Sequence, residues 1–416
     1  MADPLTLDEV EAAAKKSLPS KIYDFYASGA DGQRAVARNR HAFSRLFIRP
    51  RVLQDVSDVD TSVELFGVRS ALPVGIAPSA MQRLAGGDGE IDVAKAAAGM
   101  GLNLTLSSQS TSSLEDVMQA KIDTEKGFPG PPFWMQIYLH DDIQKSVPLI
   151  RRAEGKYSLP QYRLVKVHYT SILTIFKSTA AGYQALVLTV DTPVLGNRLA
   201  ERKEAVVLPK GLSLPNLEKT TPGAKPQPSI NRQFMNVRSA AEAKALRAAS
   251  GSKMHSASLT WERTITELRK VTKMKIILKG IMTAEDAALS VQYGADAIIV
   301  SNHGGRQLDE TCSTIEALPE VSVAVNGALP VIIDGGVRTG ADVFKCLALG
   351  ADFVLVGRPA LWGLAYDGCR GVETVMHILE RELSRTMALA GVRSVKEISR
   401  GMLGVANRNG FGVSKL

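Results

Sequence analysis

Short apolar runs, each followed by a helical stretch, recur eight times along this chain, and this recurrence limits its fold more than any other feature. Strands that alternate with helices pair in parallel, and eight such units close a barrel. The pattern therefore predicts an α/β protein with a (β/α)8 TIM-barrel fold. The predicted strands lie at 73–77, 102–106, 133–137, 185–190, 275–278, 297–300, 330–333 and 353–356.

Polar residues follow every one of these runs. In a closed barrel all strand ends meet at one mouth, where barrel enzymes hold their sites. A doubly wound open sheet is the structural alternative, but it would scatter the same groups. In chain order, the residues at the predicted strand ends are Ser79, Ser107, Gln136 with Tyr138, Thr189 with Asp191, Lys279, Ser301 with His303 and Arg306, Asp334 with Gly336 and Arg338, and Gly357 with Arg358.

The pattern indicates a single domain over 1–400. Residues 1–70 hold N-terminal helices and a short ribbon, and the barrel occupies 71–400. After the fourth strand, 199–258 form a long loop on the active-site side, as expected of a lid. We expect 401–416 to be a flexible tail.

Residues 155–179 form an atypical insert in a helix-to-strand connection that normally takes about 2 to 6 residues. Gly155, Lys156 and Tyr157 can be encoded by codons that contain the start of an intron. We interpret the insert as a retained intron, with a genuine surface insertion as the alternative. Sequencing the transcript distinguishes the two.

Charge and composition exclude several classes of protein. The net charge is +8, but the basic residues are dispersed and are not interleaved with aromatic residues, so no nucleic-acid partner is expected. The first residues are acidic and no apolar run approaches the ~18 residues of a membrane span, so we expect neither a leader nor a membrane anchor. The three cysteines lack metal-ligand spacing, so no metal site is predicted.

The last three residues, Ser414, Lys415 and Leu416, match the address that the peroxisomal import receptor reads. Such an address is read at a free C-terminus. The sequence therefore predicts a peroxisomal location.

His303 and Arg306 lie on the loop that leaves the sixth predicted strand, separated by two glycines. Histidine is a base in the neutral range, arginine is a permanent cation, and glycines let a ligand approach the backbone. This arrangement suits an anionic substrate that loses a proton. The alternative is a glycine-rich turn with a solvated arginine and a packing histidine.

The seventh and eighth strands end in glycines and arginines, at the usual phosphate-binding position of such barrels. Glycine amides and two guanidinium groups suit a dianion. Either motif alone also fits a plain turn, but the pair at adjacent strand ends indicates a phosphorylated ligand. The residues concerned are Asp334, Gly336, Arg338, Gly357 and Arg358.

With these residues assembled, the chain resembles the FMN-dependent 2-hydroxy acid oxidase and dehydrogenase family, which includes glycolate oxidase, long-chain hydroxy acid oxidase and the flavin domain of flavocytochrome lactate dehydrogenase. The resemblance runs from about residue 7 to about residue 400, outside 155–179, and its most specific motif is 301–309, Ser-Asn-His-Gly-Gly-Arg-Gln-Leu-Asp.

The resemblance implies a role for each site residue. His303 is the expected catalytic base, and Asp191 is expected to hydrogen-bond its other nitrogen. Arg306 and Arg198 would clamp the substrate carboxylate. Tyr138 would hydrogen-bond the reacting hydroxyl group, and Lys279 would lie at the N1 and O2 edge of the flavin. The residues expected to line FMN are Ser79, Ser107, Gln136, Thr189 and Ser301, with Asp334, Gly336, Arg338, Gly357 and Arg358 at ribityl and phosphate.

Two departures from the family pattern bear on the substrate. Phe25 stands where glycolate oxidases have a tyrosine that touches the carboxylate, and Gln109 stands where they have a tryptophan. One hydrogen bond is lost at the first position, and the second pocket becomes wider and more polar. We predict a 2-hydroxy acid that is larger than glycolate and polar.

The resemblance implies oxidation of an (S)-2-hydroxy acid to a 2-oxo acid in a homotetramer, with O2 as acceptor and H2O2 as product. The alternatives are a dehydrogenase with a non-oxygen acceptor, an internal lactate-type monooxygenase, and an inactive flavin-binding scaffold. A nucleotide-substrate barrel such as an IMP dehydrogenase would need a loop cysteine nucleophile, and Cys312 stands in an unrelated context. We expect the remaining histidines to be surface or packing residues, namely His41, His140, His168, His255 and His377.

Overall fold

A computed structural model describes residues 3–125, 130–155, 181–217, 233, 236–249, 255–407 and 412–416. The helices are α1 (Leu7–Ser17), α2 (Ser20–Ala27), α3 (Arg34–His41), α4 (Glu90–Gly99), α5 (Leu114–Glu125), α6 (Val147–Glu154), α7 (Leu199–Lys203), α8 (Ala240–Ala249), α9 (Trp261–Val271), α10 (Ala284–Gln292), α11 (Thr314–Val325), α12 (Gly340–Ala348) and α13 (Arg358–Ala390), the last broken at Asp367 and Gly368. The strands are β1 (Leu46–Ile48), β2 (Val63–Leu65), β3 (Val68–Ser70), β4 (Val74–Ile76), β5 (Thr105–Ser107), β6 (Trp134–Ile137), β7 (Ala185–Thr189), β8 (Lys275–Ile281), β9 (Ala297–Val300), β10 (Val331–Asp334), β11 (Phe353–Val356), β12 (Leu403–Ala406) and β13 (Val413–Lys415).

Strands β4 to β11 form one eight-stranded parallel sheet, in which neighbours in the chain are neighbours in space and β11 pairs with β4. A parallel bridge between Ile76 and Leu104 joins the two remaining edges. The amide N–H of Ile76 donates to the carbonyl oxygen of Asn103 at 2.9 Å in this seam. The sheet is thus a closed barrel, which confirms the predicted (β/α)8 fold.

Alternate residues of each strand separate into two apolar cores. In β9, Ala297 and Ile299 point into the barrel, whereas Ile298 and Val300 pack outward with the helices. Because successive side chains of a strand face opposite ways, a strand buried on both faces must be apolar throughout. This explains why the barrel strands appear as uninterrupted apolar runs in the sequence.

Helices α2 and α3 of the N-terminal segment pack beside the mouth of the barrel. Tyr23 of α2 stacks on Trp362 of α13, with ring centroids 5.1 Å apart. Asn39 of α3 exchanges two amide hydrogen bonds of 2.8 Å with Asn302, the residue before His303. Because α3 is bonded to the turn after β9, this segment supports that turn.

Three regions bear on other expectations. The described parts of the 199–258 loop contain two helices, α7 and α8. The tail at 401–416, which was expected to be flexible, contains β12 and β13, which pair antiparallel, and Leu403 in β12 is fully buried. The insert at 155–179 lies outside the described residues except for Gly155, which ends α6. Among the helices described, none combines the length and apolarity that crossing a bilayer requires.

Candidate active site

His303 and Asp191 form a pair at the mouth of the barrel, one after β9 and the other after β7. The Nδ1 atom of His303 lies 3.0 Å from Oδ1 of Asp191 and 3.3 Å from Oδ2. A carboxylate accepts hydrogen bonds, so Nδ1 carries the proton and Nε2 is left as the basic nitrogen. The sequence placed these two residues at converging strand ends, and the structure brings them into contact.

Glycine makes this contact possible. Gly280 has φ +118°, and a Cβ atom there would lie 2.7 Å from Cβ of Asp191. His303 itself has φ +57°, an uncommon conformation held by its N–H bond of 3.1 Å to Oγ of Ser301. The backbone around the pair is thereby fixed before any ligand arrives.

The charges around the pair favour a neutral imidazole beside an ionised carboxylate. Burial lowers the pKa of His303, Asp191 opposes this, and Lys279 and Arg198 lower it further. Burial raises the pKa of Asp191, but His303 and Lys279 outweigh it and the net shift is downward. His303 is therefore an unprotonated base over the neutral pH range.

Lys279, Ser301 and Asp334 form a buried network at the ends of β8, β9 and β10. The ammonium of Lys279 donates to Oγ of Ser301 at 2.7 Å and lies 3.1 Å from Oδ2 of Asp334. Oγ of Ser301 in turn donates to Oδ1 of Asp334 at 2.7 Å. Burial lowers the pKa of Lys279, but Asp334 and Asp191 raise it overall, so a fixed cation lies under the mouth.

The ends of β4, β5, β6 and β7 supply neutral polar groups. The amide of Gln136 donates to Oγ1 of Thr189 at 2.9 Å, and both side chains are buried. Oγ of Ser107 accepts the N–H of Gln109 at 3.1 Å. Ser79 lies at the mouth, where its carbonyl oxygen accepts a bond of 3.2 Å from the Gln82 side chain.

Arg306 and Arg198 share one carboxylate, that of Glu201 in α7. Oε1 of Glu201 lies 3.0 Å from Nη2 of Arg306 and 3.3 Å from Nη1 of Arg198. Arg306 also donates to the carbonyl oxygen of Phe25 at 2.7 Å, and its guanidinium carbon lies 5.4 Å from the centre of the Phe25 ring. Burial and Arg198 lower the pKa of Arg306 to about 10, although Glu201 opposes them.

The arginines after β10 and β11 are held differently. Arg358 donates to the carbonyl oxygens of Tyr26 at 2.8 Å, Gly304 at 2.9 Å and Ser28 at 3.0 Å. Arg338 donates one Nη1 bond of 2.8 Å to the carbonyl oxygen of Val337, and within the described residues its buried Nε has no partner. Of these two predicted phosphate ligands, Arg338 thus has an unused donor, whereas Arg358 links the α2 end to the His303 turn.

The sequence missed two residues of this site. Glu201 appears in the sequence as one of several charges in a long loop, and only the fold shows that it meets both arginines. His255, expected to be a surface or packing residue, is buried, and its ring centroid lies 4.0 Å from that of Tyr138. No motif surrounds either residue.

Polar side chains on the mouth of a closed parallel barrel, with a base, its carboxylate, a buried lysine and two arginines, define an enzyme that acts on a small anion. A family model described as FMN-dependent dehydrogenase matches residues 14–159 and 160–405. The chain belongs to this family, and it is an FMN-dependent enzyme that oxidises 2-hydroxy acids.

The relatives cover almost the whole chain. Glycolate oxidase 3 of Arabidopsis thaliana is 42% identical over 392 residues, 94% of each chain. The 2-hydroxyacid oxidase of Dictyostelium discoideum is 40% identical over 404 residues, 97% of this chain and 91% of the relative. The crystal structure of mandelate oxidase superposes with a TM-score of 0.76 at 35% identity, over 96% of this chain and 98% of that one. These matches confirm the resemblance inferred from the sequence.

Proposed function

We propose that this enzyme oxidises an (S)-2-hydroxy acid larger than glycolate and passes the electrons to O2, giving a 2-oxo acid and H2O2. The observation that carries the proposal is the 3.0 Å contact between His303 and Asp191 beside the arginines that meet at Glu201. A base and a carboxylate clamp at one mouth are what deprotonation of a hydroxy acid requires.

The FMN site is proposed from the fit of the residues present. The unpartnered buried Nε of Arg338 is a donor that suits a phosphate oxygen. Gly357 lies beside the end of β4, since a Cβ added to it would make ordinary van der Waals contacts with Cβ of Ala77 at 3.7 Å and Oγ of Ser79 at 3.9 Å. The residues assigned to FMN remain Ser79, Ser107, Gln136, Thr189, Lys279, Ser301, Asp334, Gly336, Arg338, Gly357 and Arg358.

When bound, FMN accepts the two electrons that the substrate loses. Arg306 and Arg198 hold the substrate carboxylate, and Tyr138 hydrogen-bonds the hydroxyl group. Nε2 of His303 takes a proton from the substrate, and Asp191 stabilises the imidazolium that forms. The same residues serve whether the proton comes from Cα or from the hydroxyl group.

The test is anaerobic addition of a panel of (S)-2-hydroxy acids to the purified yellow holoenzyme. We expect bleaching of the visible flavin band, fastest with acids larger than glycolate. Glycolate as the best substrate would contradict the size prediction, and absence of bleaching with every acid would contradict the activity.

The acceptor is tested separately. Under air, an oxidase releases one H2O2 per 2-oxo acid, a dehydrogenase with another acceptor turns over only when that acceptor is added, and a lactate-type monooxygenase decarboxylates its product. We expect equal amounts of peroxide and 2-oxo acid. A lower peroxide yield would overturn the assignment of O2.

We infer a peroxisomal location and a homotetrameric assembly. The side chains of Ser414 and Lys415 are exposed, but β13 pairs with β12 and the N–H of Leu416 donates to the carbonyl oxygen of Leu403 at 3.1 Å, so these residues must leave the strand to bind the import receptor. A fluorescent protein fused before residues 401–416 should enter peroxisomes, and removal of Leu416 should abolish this. The inference of a tetramer rests on the family resemblance. Light scattering of the purified enzyme, which gives its molar mass in solution, tests it.

A further inference from the structure

His255 is a buried histidine that the catalytic scheme does not use. Its side chain lies against Tyr138, with 4.0 Å between ring centroids and 35° between ring planes, and only 7% of the residue is exposed. The N–H of the next residue, Ser256, donates to the carbonyl oxygen of Leu139 at 3.1 Å. The segment is thus fastened beside the end of β6, next to the residue proposed to hold the substrate hydroxyl group.

Neither ring nitrogen of His255 has a hydrogen-bond partner among the described residues. Buried polar groups in proteins are nearly always paired, because an unpaired group loses its bonds to water without replacement. An imidazole with two unused nitrogens inside an active site is therefore a group suited to a ligand.

The surroundings determine what the ligand group must be. Burial, followed by smaller contributions from His303, Arg198 and His140, lowers the pKa of His255 to about 3 against the opposing effect of Asp191. The imidazole is thus neutral over the neutral pH range, with one nitrogen as donor and the other as acceptor. A hydroxyl group is also both donor and acceptor, so it can satisfy either nitrogen.

We propose that His255 determines specificity by hydrogen-bonding an uncharged polar group, such as a hydroxyl, on the side chain of the 2-hydroxy acid. This inference rests on the proposed function and narrows its substrate class. An aliphatic side chain in the same place would leave both nitrogens unpaired, so the site discriminates against it.

The test compares an aliphatic (S)-2-hydroxy acid with its analogue that carries a terminal hydroxyl group. We expect the wild-type enzyme to prefer the hydroxylated acid. His255→Phe keeps a ring against Tyr138 but removes both nitrogens, and should lower kcat/KM for the hydroxylated acid by about 10-fold, mainly through KM, whereas kcat/KM for the aliphatic acid should not fall. His255→Asn should restore part of the preference.

His377→Phe is the matched control, since His377 has a 65% exposed side chain on α13 and should alter neither acid. An equal loss for both acids in His255→Phe would overturn the proposal and make His255 a support for Tyr138. Unchanged kinetics for both acids would show that the substrate does not reach His255, and this result would also overturn the proposal.

A binding measurement separates this inference from the proposed function. The two corresponding 2-oxo acids, aliphatic and hydroxylated, are tested for thermal stabilisation of wild-type holoenzyme and of His255→Phe. Selective stabilisation of the wild type by the hydroxylated acid supports the role of His255, even if no hydroxy acid bleaches the flavin. Bleaching with equal stabilisation by both 2-oxo acids would leave the activity standing and refute the inference.

Discussion

The two halves of the barrel mouth differ in how much of their bonding is complete. On the side of β7 to β9, His303 is paired with Asp191, and Lys279 with Ser301 and Asp334, all through distances of 3.1 Å or less. On the side of β10 and β11, Arg358 is bonded to three carbonyl oxygens, but Nε of Arg338 is buried without a partner among the described residues. The first half is pre-organised for chemistry, and the second keeps a donor for a ligand.

This difference follows from what each half must do. A base needs one tautomer and one orientation before the substrate arrives, so its partners belong to the protein. A phosphate site gains its binding energy when donors meet the ligand, so donors that are already paired would contribute less. We therefore expect substitutions in the first half to lower kcat and substitutions in the second half to weaken the binding of FMN.

The largest effect is expected at His303. His303→Gln keeps a polar side chain but removes the base, and should lower kcat by about 10²- to 10⁴-fold. The purified variant should remain yellow, because the phosphate half is unchanged. Steady-state kinetics and the flavin content of the same sample check both statements, and a colourless variant would show that the two halves are not separate.

Arg338→Met should weaken FMN binding and leave kcat nearly unchanged, the reverse of the result expected for His303→Gln. Removing the charged donor should raise the Kd for FMN by about 10- to 100-fold, whereas the fraction that retains FMN should keep a near-normal kcat. Equilibrium dialysis against FMN and kcat per bound flavin are the measurements. Arg34→Met is the control, since Arg34 forms an exposed ion pair with Glu310. A normal Kd would remove Arg338 from the phosphate site.

The pH dependence tests the state of the base. Burial lowers the pKa of His303 below its ordinary value of 6.5, and the proposed reaction needs the neutral imidazole. kcat/KM should therefore be constant as the pH falls to 6.5, and below the pKa it should decline about tenfold per pH unit. His303→Gln should lack this acid limb. A decline that begins above pH 6.5 would contradict the electrostatic account.

Glu201 tests whether the clamp is partly neutralised in the resting enzyme. Its carboxylate lies 3.0 Å from Arg306, where it would compete with the substrate carboxylate that we propose binds there. Glu201→Gln should lower KM by about 3- to 10-fold and also lower Tm, because two buried cations lose their counter-ion. Glu310→Gln, at an exposed ion pair, is the control. A raised KM would instead show that Glu201 orients the arginines.

The sequence was most informative about features that repeat. All eight predicted strands overlap the observed ones, and the run at 297–300 coincides with β9, because a strand buried on both faces is apolar throughout. The polar residues that end these strands could be placed at one mouth for the same reason. In a closed parallel barrel, a residue that follows a strand in the sequence lies at the mouth in the structure.

Features that depend on contacts between distant segments could not be predicted. Glu201 meets Arg306 across 105 positions, and His255 meets Tyr138 without any motif around either. The tail at 401–416 was expected to be flexible because of its small and polar residues, yet Leu403–Ala406 pairs with Leu46–Ile48 near the other end of the chain. A strand pairing between residues so far apart in the chain orders the tail, and local composition cannot predict it.

The smallest effect is expected from a substitution at Phe25 in α2, which lies beside Arg306. The centre of the Phe25 ring lies 5.4 Å from the guanidinium carbon of Arg306, so we expect a hydroxyl group added to this ring to reach the proposed carboxylate clamp. Phe25→Tyr should lower KM for glycolate by about 5-fold, the effect of one hydrogen bond, with little change in kcat.

The neighbouring Tyr26 supplies the contrast. Its hydroxyl group already donates to the carbonyl oxygen of Met81 at 2.6 Å, so Tyr26→Phe should destabilise the protein without a selective effect on glycolate. If Phe25→Tyr leaves KM for glycolate unchanged, the carboxylate does not lie between Arg306 and α2. Small acids would then be disfavoured by the pocket around Gln109 alone, and Gln109→Trp becomes the substitution that should restore glycolate.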